Sequence, residues 1–173
     1  YQPVRSLSTL NMILNQGLSA ASRILPIIDQ KNNITEAKNA VPIKVSNSEV
    51  KFNNVNFAYN IHESQTLESV NLIFKGKKMT SLVGHSGSGK STILNLIPRF
   101  YDSQSGDILI DDQSIYKTTI KSLRSEISMV SQETTLFDDT IKNNIRYANH
   151  SATDQEVYEV ARLSFCDEFI SNL

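Results

Sequence analysis

At 173 residues the chain has room for one domain with a sizeable core plus an appendage, which excludes two full domains. Its 17 basic and 18 acidic residues leave a formal net charge of -1, so charge gives no reason to propose a nucleic-acid partner. Cys166 is the only cysteine, which excludes an intrachain disulfide and a cysteine-based structural zinc site and fits a reducing cytosolic setting. No apolar run reaches the roughly 18 residues of a membrane span, and the first residues lack a signal-peptide pattern. As given, the chain is expected neither to cross a membrane nor to enter the secretory route.

In chain order, Leu7, Leu10, Leu14, Leu18, Ala21 and Leu25 recur at helical spacing, and Gly17, Ala20 and Ala21 offer a small-residue surface for another helix. Pro26 is expected to kink or end this helix near Leu25, and the polar stretch Asp29 to Asn39 reads as a linker. Near Ser48 the period changes to two. Val50, Phe52, Val55, Phe57 and Tyr59, then Leu67, Val70, Leu72 and Ile73, predict strands of an antiparallel sheet. The cluster Lys75, Lys77 and Lys78 is a solvated turn.

Residues 84 to 91 read Gly-His-Ser-Gly-Ser-Gly-Lys-Ser, a complete GxxxxGKS pattern between the apolar Ser81-Leu82-Val83 and the helical Thr92-Ile93-Leu94-Asn95-Leu96-Ile97. Strand, glycine loop and helix in that order form a phosphate cradle. Gly84, Gly87 and Gly89 let the main chain wrap a polyphosphate with its N–H groups turned inward, the loop residues His85, Ser86 and Ser88 contributing their own amides. Lys90 reaches the β- and γ-phosphates, the Ser91 hydroxyl is placed to ligate Mg²⁺, and the first helical turn, with Thr92, adds N–H groups and the positive end of its dipole. A nucleoside triphosphate is the expected ligand. The alternative, a chance glycine-rich turn, leaves both flanks unexplained.

Beyond the loop helix, Pro98 marks a boundary and Asp102-Ser103-Gln104-Ser105-Gly106 is turn chemistry leading into the strand Ile108-Leu109-Ile110. Asp111-Asp112 at its end allows two readings: an acidic pair of the kind other NTPases use for Mg²⁺ and water, or a surface hairpin turn. Only three apolar residues precede the pair, which favours the turn. Ile127, Met129 and Val130 predict another short strand running into Ser131-Gln132. Thr153 to Glu156 is a capping box, and Val157, Val160, Ala161, Phe165 and Phe169 continue at helical steps with Cys166 as a small core residue among them. His62, His85 and His150 are isolated and carry no metal or acid–base role.

Several of these stretches occur together in one family. Phe57-Ala58-Tyr59, Leu82-Val83-Gly84, Arg99-Phe100-Tyr101-Asp102, Gly106 through Asp111, Val130-Ser131-Gln132, Leu136-Phe137 and Asn144-Ile145, with the loop between them, make the chain resemble the ATP-binding domain of an ABC transporter of the exporter type. The resemblance implies a truncated P-loop NTPase core of α/β class, with an antiparallel β subdomain and an N-terminal helix. It implies residues 1–29 as the cytoplasmic end of a transmembrane-domain helix, 30–47 as a linker and 48–173 as the N-terminal part of the nucleotide-binding domain.

By the same resemblance the ligands are ATP and Mg²⁺, with Tyr59 stacking on adenine and Gln132 in the Q-loop, sensing Mg²⁺ and the γ-phosphate. Read alone, Tyr59 is an alternating strand residue and Gln132 a solvated loop residue. Implied partners are a second nucleotide-binding domain, in a homodimer, and coupling helices of the transmembrane domain received near Gln132 to Phe137, although Phe137 also reads as plain core. Nucleic acid is not among them, and the membrane is met only through the parent's transmembrane domain, at the cytoplasmic face of the plasma (inner) membrane. The sequence contains no LSGGQ signature, Walker B aspartate with glutamate, or switch histidine, so no complete catalytic set is expected in it. The implied activity is ATP-driven export of a lipid or amphipathic, drug-like compound by the complete parent. The alternatives are a non-catalytic nucleotide-binding fragment and a free-standing P-loop kinase or GTPase.

Overall fold

The apolar positions Phe52, Val55 and Phe57 break strict alternation with one step of three, and the strand accommodates it with a bulge. The computed structural model describes residues 1–30, 32–60, 64–131 and 135–172 and divides into two units, Tyr1–Ser128 and Met129–Leu173. In the first unit β1 (Val50–Phe57) lies between β2 (Leu67–Phe74) and β3 (Ser105–Ile110), and β4 (Gln113–Ser114) completes an all-antiparallel sheet of order β2-β1-β3-β4. Register shifts fall on both sides of Asn54, whose φ is 50°. Its N–H donates to Asn71 Oδ1 at 2.9 Å. Gly106 faces the bulge at φ 86°, where a Cβ would stand 2.4 Å from the Asn54 carbonyl oxygen; no other residue fits. The extra residue returns Phe52, Val55 and Phe57 all to the buried face.

That face is covered by α2 (Lys90–Leu96), a 3₁₀ turn at Ile115–Lys117 and α3 (Ile120–Ser125), through Ile93, Leu96, Ile115 and Leu123. Ile43 joins the same core from the segment before β1. Phe52 is 1% exposed and meets Phe74 edge to face at 6.0 Å.

Asp111 and Asp112, at φ 47° and 60°, form the two-residue turn of the β3–β4 hairpin, the left-handed pair that such turns require. β3 is therefore antiparallel to its neighbours, and the surface-turn reading of the acidic pair holds. The Asp111 carboxylate accepts hydrogen bonds from the main-chain N–H groups of Ser46, Asn47, Ser48 and Glu49. These donors, Ser46 and Glu49 foremost, hold its pKa well below the usual carboxylate range. A depressed carboxylate stabilises the fold fully above its unfolded value and loses that contribution as pH falls through the folded one. The clasp is thus complete at neutral pH and is lost only in strong acid.

Two expected strands do not form. Residues 79–84 and 127–131 have no ladder partner among the described residues, and Val83 and Val130 are 90% and 95% exposed. An apolar run becomes a strand only when a neighbour takes up its N–H and C=O groups. Of the two effects expected of Pro26, a kink or an end near Leu25, the end does not occur there, since α1 (Gln2–Ile28) runs through it. Pro26 removes the bond to the Ser22 carbonyl and crowds the preceding turn, and only two helical residues follow it. Leu10, Leu14, Leu18 and Leu25 are exposed along it. Among the described residues no helix is long and apolar enough to cross a membrane.

The second unit carries α4 (Ile141–Arg146), α5 (Asp154–Leu163) and α6 (Asp167–Ile170). Asp154 binds both Lys142, at 3.0 Å, and Arg146, which ties α5 to α4. The capping box forms as read: Thr153 Oγ1 accepts from the Glu156 N–H at 3.3 Å, and Glu156 Oε2 accepts from the Thr153 N–H at 2.7 Å. Thr153→Ala is expected to cost about 1 kcal/mol, measured by urea unfolding; no change in midpoint would contradict it. Only Val157 and Ala161 of the expected α5 face are buried. α5 ends at Leu163, and Cys166 is the half-buried N-cap of α6, off the helical face expected for it.

Candidate functional site

The phosphate-type loop hangs between the start of β2 and the first turn of α2. Gly89 is the N-cap of α2 at φ 82°, and a Cβ there would stand 2.7 Å from Leu67 Cδ2. Leu67 is buried at the head of β2, so glycine is needed both for the backbone angle and for the close approach of that side chain. The Ser88 N–H donates to the His85 carbonyl at 3.3 Å, which rounds the loop, and the Ile93 N–H donates to the Gly89 carbonyl at 2.9 Å, which starts the helix. The N–H groups of Lys90, Ser91 and Thr92 are then those a helix leaves without an intrahelical acceptor. Ile93 and Leu96 anchor α2 in the core, fixing where these amides point.

Lys90 curls back over the loop. Its Nζ donates to the carbonyls of Gly84 at 3.0 Å and His85 at 2.6 Å and to Ser88 Oγ at 3.2 Å, so one ammonium sits at the focus of the loop's curvature. Among the described residues its hydrogen-bond partners are these loop oxygens and no carboxylate. A cation held by neutral oxygens keeps its full charge available to an anion. Gly84, His85, Ser86, Gly87, Ser88 and Ser91 are exposed around it, with Gly87 at φ 80°. Thr92 is buried.

Tyr59 follows β1 and reaches the same helix: its hydroxyl and Thr92 Oγ1 are 3.1 Å apart. Its ring packs edge to face on Phe57 at 4.9 Å and on Tyr101 at 5.1 Å, leaving it 43% exposed. A cleft of about 660 Å³ beside it is lined by Phe57, Tyr59, Phe100 and Tyr101, with Asn33 and Gln104 among the polar groups. Arg99 braces this wall from behind. It is 4% exposed, and its guanidinium forks onto Asp102 at 2.6 and 3.0 Å and lies over the Tyr116 ring. The Asp102 hydrogen bond holds the guanidinium pKa above its ordinary value.

In the second unit, Leu136, Phe137, Ile141, Tyr147, Phe169 and Ile170 line an apolar groove of about 490 Å³. Leu136 is 76% exposed, and Phe137 packs on Tyr147 at 4.5 Å. Asn144 shapes this segment: its Oδ1 accepts from the Phe137 N–H at 2.8 Å and its Nδ2 donates to the carbonyls of Phe137, Asp139 and Thr140. Gln132 lies outside the described residues, as does His62.

The structure therefore brings Tyr59 and the loop residues Gly84 to Thr92 to one place, through the Tyr59–Thr92 contact. Sequence reasoning did not find the aromatic support from Phe57 and Tyr101 or the loop-shaping role of Asn144. Only the bare stretches Arg-Phe-Tyr-Asp and Asn-Ile hinted at them, since local sequence carries no record of which distant rings meet.

Comparison with known proteins gives the chain its relatives. The sequence profile of the family described as "ABC transporter" matches residues 67–171. The "ATP-dependent lipid A-core flippase" of Syntrophus aciditrophicus is 38% identical over 173 residues, all of this chain and 28% of that protein. The "Heavy metal tolerance protein" of Schizosaccharomyces pombe is 42% identical over 161 residues, 93% of this chain and 19% of that one. The chain thus spans under a third of the length of these relatives. Among solved structures, a bacterial Atm1-family ABC exporter with ATP bound superimposes with a TM-score of 0.83 at 34% identity, over 99% of this chain and 30% of that one. The glycine loop closed on its own lysine, the antiparallel sheet beside it and the match over most of the chain have one explanation: this chain belongs to the ABC transporter family.

Proposed function

We propose that this chain is the N-terminal part of the ATP-binding domain of an ABC exporter, in which residues 1–29 are the cytoplasmic end of a transmembrane-domain helix, 30–47 a linker and 48–173 nucleotide-binding domain. The observation that carries the reading is the Lys90 ammonium held by neutral loop oxygens, next to a tyrosine fastened to the same helix. The residues fit Mg·ATP. Main-chain N–H groups from Gly84 to Thr92 and the Lys90 ammonium would hold the phosphates, Ser91 would ligate Mg²⁺, and Tyr59 would offer its ring to adenine. When bound, Mg²⁺ supplies charge neutralisation at the β- and γ-oxygens. Gln132 would approach the same phosphates as the Q-loop residue.

Lys90 can turn from neutral carbonyls to phosphate oxygens at little cost, because it exchanges weaker hydrogen bonds for charge-assisted ones. The chain would supply the loop half of a composite site, a second nucleotide-binding domain in a homodimer supplying the rest. The apolar groove bordered by Leu136 and Phe137 would receive the coupling helices of the transmembrane domain. Binding of the triphosphate then favours the closed pair of domains and hydrolysis releases it, which drives export of a lipid or amphipathic compound from the cytoplasmic face of the plasma (inner) membrane.

Titration of Mg·ATP against Mg·GTP into Tyr59→Ala and Tyr59→Phe tests the base end of the site. A ring stacked on a base is worth about 1–3 kcal/mol, so Tyr59→Ala should weaken ATP about tenfold and flatten the base preference. Tyr59→Phe keeps the ring and loses only the Thr92 contact, and should stay within about threefold. Unchanged affinity and base preference in Tyr59→Ala would remove the ring from the base end of the site.

A further inference from the structure

Three rings meet beside the end of α1 in a fixed corner. Phe57 and Tyr59 pack at 4.9 Å, Tyr59 and Tyr101 at 5.1 Å, and Phe57 and Tyr101 at 5.7 Å, and Phe57 is buried, so the corner is anchored in the core. Together with Phe100 it forms one wall of the cleft of about 660 Å³, a volume within the range of small-molecule sites. Arg124 lies over one face of the Phe100 ring at 5.3 Å, which steadies that ring as well. Phe100 and Tyr101 are 43% and 42% exposed, which leaves ring surface for a further flat ring.

Another wall is the segment after α1, with Asn32, Asn33 and Ile34. One buried group joins the two. The Arg99 guanidinium donates to both carboxylate oxygens of Asp102, which lines the cleft, and to the Thr35 carbonyl, next to Ile34, at 3.0 Å. Gln104 is placed from the sheet, its N–H donating to the Asn56 carbonyl at 2.9 Å. The cleft is therefore formed before any ligand arrives, which lowers the cost of ordering it on binding.

The lining defines the chemistry of a ligand. Among the described residues Asp102 is the one charged residue in it, and its charge is met by Arg99. No described cation lines the cleft to hold a phosphate or a carboxylate, and none of Gly84 to Thr92 borders it. The side-chain amides of Asn32, Asn33 and Gln104 have no hydrogen-bond partner among the described residues, and each offers a donor beside an acceptor. Rings on one side and carboxamides around them match a molecule that is flat, aromatic and neutral, with an N–H next to a C=O. We propose that this cleft is a binding site, separate from the phosphate loop, for such a heteroaromatic lactam, its ring against Phe100 and Tyr101 and its amide edge against Gln104. The site does not rest on the exporter reading above.

The test is a titration of carbostyril, a flat bicyclic lactam, into the whole chain without nucleotide, followed by NMR at the Phe100 and Tyr101 ring protons and the Gln104 side-chain amide. Saturable shifts at all three are the expected result. Quinoline keeps the flat bicycle and lacks the lactam; Gln104→Met keeps the side chain's length and lacks its amide. Each change should weaken binding about fivefold, the effect of losing one or two hydrogen bonds. Caprolactam, with the amide and no aromatic ring, should not saturate. Mg·ATP at a concentration that saturates Gly87 to Thr92 should leave carbostyril bound. Absence of saturable shifts at Phe100 and Tyr101, binding of quinoline or caprolactam equal to that of carbostyril, or unchanged affinity in Gln104→Met would overturn the proposal. Displacement by Mg·ATP would overturn it too, by making the cleft the base end of the loop's own site. Gln104→Met should fold, because the side chain is exposed and the main-chain bond to Asn56 is kept. If the chain binds no Mg·ATP, the phosphate-loop reading fails while the lactam titration still decides the cleft.

Discussion

Lys90→Ala should weaken Mg·ATP binding by at least about a hundredfold while leaving the fold intact. The ammonium already makes three bonds within the loop, and at least two of its donors are expected to turn to phosphate oxygens, each such charge-assisted bond being worth about 1.5–3 kcal/mol. The alanine variant loses these and leaves the loop carbonyls of Gly84 and His85 facing a phosphate with no cation between. Stability should change little, since Lys90 is only half-buried and its bonds are to loop atoms open to water. Isothermal titration of the folded variant checks this, and wild-type affinity would remove the loop from the account. Lys90→Arg should not rescue it, because a planar fork cannot replace a compact ammonium at the centre of a tight curve.

Phe52→Ala should have the largest effect on stability, about 3–5 kcal/mol, which is a major part of the 5–15 kcal/mol that holds a typical domain together. Phe52 lies in the central strand of the sheet, fully buried, with Phe74 edge to face against it and β3 on its other side. Collapse of the cavity is hindered because β1 is pinned on both flanks, at Leu72 and at Ile108. Urea unfolding followed by circular dichroism checks the prediction, and a loss below about 1 kcal/mol would show that the sheet does not form the core described. Nucleotide binding should fall with stability, since α2 rests on the same core through Ile93 and Leu96.

Much of the candidate site was legible because it is local. Gly84 to Ser91 is a contiguous signal, and its helix and flanking glycine angles need only near neighbours. The same holds for the capping box at Thr153 and Glu156, whereas the step of three between Phe52 and Val55, read as part of a period of two, is a bulge. What depended on distant neighbours was not legible. Leu82-Val83 and Met129-Val130 have strand composition, yet an isolated apolar run cannot form a ladder with itself. Asp111-Asp112 has the residue types of a metal-binding pair, yet the short apolar run before it already favours the hairpin turn that the pairing of β3 with β1 and β4 makes. Arg99 and Asn144 are polar residues whose roles lie wholly in the carbonyls they meet, Thr35 for one and Phe137 to Thr140 for the other. No periodicity marks such residues. Pro26 predicts a kink or an end near Leu25, and the helix runs on to Ile28, two residues beyond the ring.

If the glycine loop and Tyr59 together hold Mg·ATP, amide chemical shifts of the chain titrated with that ligand will report it. Saturable shifts concentrated on Gly87, Gly89, Lys90, Ser91 and Thr92, with the Tyr59 ring protons moving at the same concentration, are the predicted result. Shifts that saturate elsewhere while these residues stay still would contradict it.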